Sequence, residues 1–254
     1  LENRVLGFCC SKMDKLALNN IRSSCAIIGA HVLNVWNEHC SYLVMNKVEM
    51  THKLLHALID QRDFILPSFI DSIRDRPMLQ DPLPSVTSQH VDNGKYLFVP
   101  PLGDSILDGW KPFLLPSKDS NPDHRPARKN ILQGRTFIQI LKTGESSAAS
   151  KLDQGVIEHA KGRVKVISDP TDLAAVRSLL SDVSDGGSAH TIEPQAYVPE
   201  MADALGELGR RGIRVIPMSA VYDAIIMCDI GALDPRRSAS PASCAAHSNP
   251  ARRG

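Results

Sequence analysis

Short apolar runs alternate with helix-like segments along the first 75 residues. Apolar, β-branched and aromatic side chains dominate four runs that are typical of buried strands, residues 4–9, 31–36, 42–45 and 64–66. Residues 51–60 carry Leu and Ile at the spacing of one buried helical face, and helices are also predicted over 15–24 and after Pro67. This β-α-β-β-α-β-α order favours a small, largely parallel sheet with helices on its faces.

A second unit repeats this alternation over residues 130–232. The pattern predicts strands over 136–141, 163–167, 213–216 and 224–228. It predicts helices over 148–161, 173–180 and 198–211, and a loop over 184–188. The two units share the order of their elements but not their residues. The fold class is therefore α/β, with a mostly parallel four-stranded sheet expected in each unit.

Two segments break the pattern. Residues 76–129 contain nine prolines. So many prolines exclude regular helices and central strands, and they predict an extended linker. Because this linker carries apolar side chains, including Trp110 and Phe113, we expect it to pack on the folded units. After Leu233 the chain has no aromatic residue and no Ile, Leu or Val, so residues 233–254 are predicted to be a disordered tail. Residues 1–75 and 130–232 are then the two domains.

The composition indicates in which compartment the protein works and which classes of partner it is expected to bind. The 29 Lys and Arg residues nearly balance 28 Asp and Glu residues, a charge that argues against sequence-specific or non-specific binding of nucleic acid. No apolar run reaches the roughly 18–20 residues of a membrane helix, so a membrane is not an expected partner. The six cysteines form no Cys-x-x-Cys pair and indicate reduced thiols in the cytosol or nucleus. Because the chain starts at Leu1, close to a strand, we expect it to be a fragment.

The first unit resembles a BRCT domain of the nibrin family. The resemblance is carried by residues 35–45, Val-Trp-Asn-Glu-His-Cys-Ser-Tyr-Leu-Val-Met, and by 51–59, Thr-His-Lys-Leu-Leu-His-Ala-Leu-Ile. Residues 128–138, 211–217 and 224–227 are similar to the second BRCT repeat of that family. The likeness extends over about residues 1–233, densely in the first unit and thinly between 142 and 200.

This resemblance implies a non-catalytic nuclear scaffold that works in DNA damage signalling. It implies docking of phosphorylated checkpoint mediator proteins. The family's other contacts within the MRN repair complex run through regions outside this chain, which lacks the forkhead-associated domain and the C-terminal segments. No cofactor is expected. Two other functions stay open: a structural spacer without a phosphate pocket, and a small hydrolase using Ser105 in the Gly-Asp-Ser-Ile block at 103–106.

The best candidate chemistry lies around Thr51 and Lys53. Thr51 is placed to cap the helix, whereas a cation at Lys53 opposes the helix dipole unless an anion arrives there. The resemblance implies that this Lys and Thr grip a phosphate together with a Ser or Thr after the first strand, which is Ser11 here. Strong pockets of the family often have Gly at the next position, where this chain has Lys12.

Other candidate residues have simpler interpretations. In the second unit Thr143-Gly144 follows the first strand, but the start of the second predicted helix carries Asp172 where the first unit has Lys53. This acid would repel an anion, so no second phosphate site is expected. Trp36 and the Cys9-Cys10 pair are interpreted as core residues. His52 and His56 share one helical face, but no third metal ligand is evident and no metal is predicted.

Overall fold

The computed structural model describes residues 5–46, 49–78, 81–84, 128–142, 148–183, 188–194 and 197–234. Most of the predicted linker, including the Ser105 block, lies outside these residues, as does the predicted tail beyond Asp234. Within the described ranges, no helix combines the length and apolar character needed to cross a membrane.

The first repeat is a parallel sheet with the strand order β2-β1-β3-β4. Its strands are β1 (Gly7–Cys10), β2 (His31–Leu33), β3 (Tyr42–Val44) and β4 (Asp63–Ile65). Its helices are α1 (Lys15–Ile28), α2 (His52–Ile59) and α3 (Pro67–Arg74). Helix α1 runs four residues beyond the predicted 15–24 and ends at Gly29, which has a left-handed φ of 70°. Pro67 occupies the first turn of α3, as the sequence predicts.

The second repeat has the same sheet, ordered β6-β5-β7-β8 and again parallel. Its strands are β5 (Thr136–Ile140), β6 (Arg163–Ile167), β7 (Ala189–Ile192) and β8 (Arg214–Ile216). Its helices are α4 (Ala148–His159), α5 (Leu173–Ser181), α6 (Ala202–Arg210) and α7 (Met218–Met227). The predicted fold class, two α/β repeats with parallel four-stranded sheets, is confirmed.

Two element predictions in the second repeat are wrong. Residues 224–228, predicted as a strand, form the end of α7, in which Val221, Ala224 and Ile225 are buried at helical spacing. The strand β7 was missed because His190 and Thr191 interrupt its apolar pattern. Helix α5 lies between β6 and β7, where the first repeat has no helix, so the counterpart of α2 is α6.

One hydrophobic core joins the repeats. Helix α2 packs against α4 and α7 of the second repeat. The buried side chains of this core come from both repeats and include Leu54, Leu58, Ile157, Val221 and Ile225. Helix α2 therefore has two roles, since its first turn faces the end of β1 and its apolar stripe fills the contact between the repeats.

Candidate functional site

The end of β1 places Ser11 at the carboxyl edge of the first sheet. β1 is a central strand of that sheet, and the Ser11 backbone N–H continues its ladder by donating to the Val44 carbonyl at 3.0 Å. Ser11 is only 4% exposed, so its position is fixed by the strands on both sides. In parallel sheets this carboxyl edge is where ligands bind.

The start of α2 brings the other two predicted residues to the same place. Thr51 is the N-cap, with its Oγ1 accepting a hydrogen bond from the Leu54 N–H at 3.2 Å. The same oxygen lies 3.1 Å from Ser11 Oγ. Lys53 Nζ donates to the carbonyl oxygen of Cys10 at 2.7 Å. Ser11, Thr51 and Lys53, which lie up to 42 residues apart in sequence, are thus brought together.

Lys12 adopts the conformation for which the family often uses glycine. Its φ is 52°, in the left-handed region that costs a side-chain-bearing residue about 1–2 kcal/mol. The backbone therefore turns sharply after Ser11 in spite of the missing glycine. The ammonium of Lys12 is largely exposed and lies 4.0 Å from a carboxylate oxygen of Glu49.

The charge of the site comes mainly from Lys53. Lys12 is offset by Glu49, whereas Lys53 is held on a neutral carbonyl. The thiols beneath the site add no negative charge, because burial raises the pKa of Cys10 to about 11 and that of Cys9 still further through its hydrogen bond with Cys40. Among the residues that the structure describes, the Lys53 ammonium has no carboxylate partner and lies beside two hydroxyl groups. Such a group is suited to binding an oxyanion.

The corresponding region of the second repeat is acidic. Thr143 and Gly144 lie outside the described residues. Asp172 caps α5, accepting hydrogen bonds from two backbone N–H groups, but α5 is not the counterpart of α2. The true counterpart, α6, carries Asp203 in its first turn and follows a 3-10 turn (Pro199–Met201) that carries Glu200. The acidic character expected at this position is therefore supplied by different residues.

The remaining candidates serve the core and the contact between repeats. Trp36 is buried and donates from Nε1 to Asp60 at 2.8 Å, and Cys9 and Cys10 are buried as well, so all three are confirmed as core residues. His52 lies 2.8 Å from an Asp153 oxygen, and the ring of His56 packs at 4.8 Å on the ring of His159. Both histidines of the candidate metal pair thus contact residues of α4.

The inter-repeat polar cluster was not found from the sequence. It comprises His52, His56, Asp60, Asp153, His159 and Tyr222. Tyr222 donates to Asp153 at 2.5 Å, and His159 Nε2 lies 2.8 Å from Asp60 Oδ1. These residues come from three helices and lie as far as 170 positions apart, so no local pattern signals their contact.

Two curated proteins are similar to this chain in sequence. Nibrin of Danio rerio is 24% identical over 231 residues, which are 89% of this chain and 25% of that protein. Nibrin of Mus musculus is 26% identical over 138 residues, 54% of this chain and 16% of that protein. The chain thus spans about a quarter or less of these curated relatives. No protein-family model matches it.

A solved structure supports the same fold. The BRCT5-BRCT6 domains of S. pombe Brc1 superpose with a TM-score of 0.53 at 13% identity, covering 91% of this chain and 96% of that one. The sequence match to nibrin spans both repeats, and the structural match identifies the pair as tandem BRCT domains. The chain is therefore similar to nibrin in sequence and has the fold of tandem BRCT domains.

Proposed function

We propose that this chain is a phosphoprotein-binding scaffold module of a nibrin-like component of the MRN double-strand-break repair and checkpoint complex. The observation that carries the proposal is the convergence of Ser11, Thr51 and Lys53 at one sheet edge. The proposed ligand is a phosphorylated side chain, since a phosphate offers the several acceptor oxygens that such donors need.

The donors retain capacity for a ligand. One hydroxyl hydrogen is used in the Ser11–Thr51 hydrogen bond, which leaves the other free to turn towards a phosphate. An ammonium has three hydrogens, and the Cys10 carbonyl takes one from Lys53. The first turn of α2 adds backbone N–H groups and the positive end of its dipole. A phosphate at this point would satisfy these groups together.

The wider assignment rests on the same site and on the nibrin relatives. We propose a nuclear location and phosphorylated checkpoint mediator proteins as ligands. Contacts with other MRN subunits are assigned to regions outside this chain, which spans only part of its relatives. We further propose that the module catalyses no reaction and needs no cofactor.

A structural spacer is the second candidate function. It is favoured by the shared core, in which α2 packs against both α4 and α7. It is also favoured because Ser11 and Thr51 already bond to each other and Lys53 already has an acceptor. On this alternative the same side chains fasten α2 to β1 and bind no ligand.

Calorimetric titration of the full chain separates the two functions. An acidic peptide carrying one phosphoserine is compared with its unphosphorylated twin. We expect a clear preference for the phosphorylated peptide, and Lys53→Met should weaken binding roughly 10- to 100-fold, since a charge-assisted hydrogen bond contributes about 1.5–3 kcal/mol. Lys53→Met is chosen because it keeps the apolar stem and removes the charge.

Lys12→Met is the matched control, since it removes an exposed charge next to the pocket. It should change the affinity little at physiological salt. Equal affinity for the two peptides would favour the spacer. If Lys12→Met and Lys53→Met weakened peptide binding equally, the affinity would come from general charge attraction. That result would contradict a phosphate pocket built around Lys53.

A further inference from the structure

A cavity of about 370 Å³ lies at the amino-terminal edge of the second sheet. This edge is opposite in sense to the edge that carries Ser11 in the first sheet. One part of its wall is apolar and includes Leu180 and Ile213. The other part is polar and includes Ser188, His190, Arg211 and Arg214. Its volume is within the range of small-ligand sites, roughly 300–1,000 Å³.

The strand starts bring the polar groups together. Strands β7 and β8 are neighbours, and His190 pairs directly with Arg214. Paired residues of adjacent strands present their side chains on the same face of a sheet. Gly212, with φ of 72°, turns the chain from α6 into β8 and so places Arg211 beside the same opening.

Among the described residues, positive charge exceeds negative charge around this opening. Glu207 lies 3.9 Å from Arg211, but the same carboxylate is also 2.8 Å from Arg210 and 3.6 Å from Arg177. Arg214 lies 3.4 Å from Asp234. Arg135 has no carboxylate partner within the described ranges, and its Nη1 donates to His190 Nε2 at 3.4 Å.

His190 is a buried polar group with an unmet hydrogen bond. It is 8% exposed, and its Nδ1 has no partner in the described part of the chain. Because Arg135 can only donate, His190 Nε2 accepts and Nδ1 carries the hydrogen. Burial, aided by Arg135 and Arg214, lowers the pKa of His190, which keeps the ring neutral. A buried donor without an acceptor is unfavourable, so a ligand oxygen that accepts from it would be stabilising.

We infer that this cavity binds the carboxylate of a peptide C-terminal residue whose side chain is apolar. Guanidinium groups bind carboxylates through paired N–H donors. A monoanion fits better than a phosphate dianion, since Glu207 and Asp234 already offset part of the arginine charge. The apolar wall at Leu180 and Ile213 accommodates the side chain of that residue. This site shares no residue with the proposed phosphate pocket.

The probe is the tripeptide acetyl-Gly-Gly-Leu with a free carboxylate, titrated into the isotopically labelled full chain and followed by NMR. We expect saturable shifts of the backbone amides of Ala189, Gly212 and Ile213. The carboxamide twin and acetyl-Gly-Gly-Gly should each bind at least about 10-fold more weakly, because one lacks the charge and the other the apolar group. Equal binding of either twin, displacement by equimolar inorganic phosphate, or no saturable shift would overturn the inference.

Two substitutions at the sheet edge provide the matched comparison. Arg211→Gln removes a cavity charge and should weaken binding at least about 5-fold. Arg163→Gln removes an exposed charge at the start of β6 that does not line the cavity, and it should leave binding unchanged. Lys53→Met should also leave tripeptide binding unchanged, so the two proposed sites can fail independently. Equal losses with Arg211→Gln and Arg163→Gln would overturn the site.

Discussion

At the residue scale, Lys12 has a backbone conformation that disfavours any residue with a side chain. The turn after Ser11 requires a left-handed φ of 52°, which glycine adopts without steric cost. We expect Lys12→Gly to raise the free energy of unfolding by about 0.5–1 kcal/mol, because relief of strain outweighs the added freedom of the unfolded chain. Urea unfolding at constant m-value measures this, and Lys12→Met, which keeps the strain, is the control. A Lys12→Gly chain less stable than Lys12→Met would contradict it.

At the element scale, the local sequence indicates where a helix begins or ends wherever a single residue sets that boundary. Gly29 ends α1, Thr51 caps α2 and Pro67 begins α3, and each acts through its own backbone or side-chain geometry. The run at 224–228 was misassigned because a fully buried strand and a buried helix turn are both uniformly apolar. The three candidate residues lie together because Ser11 follows β1 whereas Thr51 and Lys53 begin α2. The cavity at β7 depends on a strand that the pattern does not show.

Helix α2 gives a direct test of local capping. The Thr51 oxygen accepts from the Leu54 N–H, so Thr51→Ala should lower the free energy of unfolding by about 1 kcal/mol. Thr51→Ser keeps a hydroxyl acceptor and should recover most of that loss. Urea unfolding of the parent, Thr51→Ala and Thr51→Ser chains measures these differences in the free energy of unfolding. A Thr51→Ala chain as stable as the parent would show that the cap is not what holds this end of the helix.

At the scale of the whole molecule, the shared core predicts that the repeats unfold together. Helix α2 buries its apolar face against α4 and α7, so neither repeat keeps its full core alone. Fluorescence of Trp36, measured in a Trp110→Phe background, should report the same urea midpoint as far-UV circular dichroism. Ala224→Asp, in α7 of the second repeat, should lower both midpoints equally because it buries a charge in the common core. Two separated transitions would show that the repeats are independent.

The histidines between the repeats should make this joint stability depend on pH. His56 lies against His159 and near His52 and Asp60, and burial followed by repulsion from His159 lowers the pKa of His56 to about 4. Burial alone would raise the pKa of Asp60, but hydrogen bonds from His159 and Trp36 lower it overall. Both groups therefore release protons more readily in the folded chain than in the unfolded chain.

The sign of the pH dependence follows from this difference. Above about pH 6.5, His56 is neutral in both states and its contribution to stability is complete. Between pH 6.5 and about 4, His56 is protonated in the unfolded chain but stays neutral in the folded chain. The free energy of unfolding should therefore fall with pH over this range, by about 1–2 kcal/mol for this partly exposed group. Below that range, Asp60 adds a further loss as its carboxylate is protonated.

Substitution of His56 isolates this contribution. His56→Phe keeps a ring against His159 and removes the titrating group, so the fall in stability between pH 6.5 and about 4 should become shallower. His39→Gln removes a histidine whose side chain is 78% exposed and should leave the slope unchanged. Urea midpoints at half-unit steps of pH, converted with a common m-value, give the slopes. If His56→Phe and the parent lose stability in parallel, the pH dependence arises elsewhere and the cluster between the repeats does not couple protonation to their association.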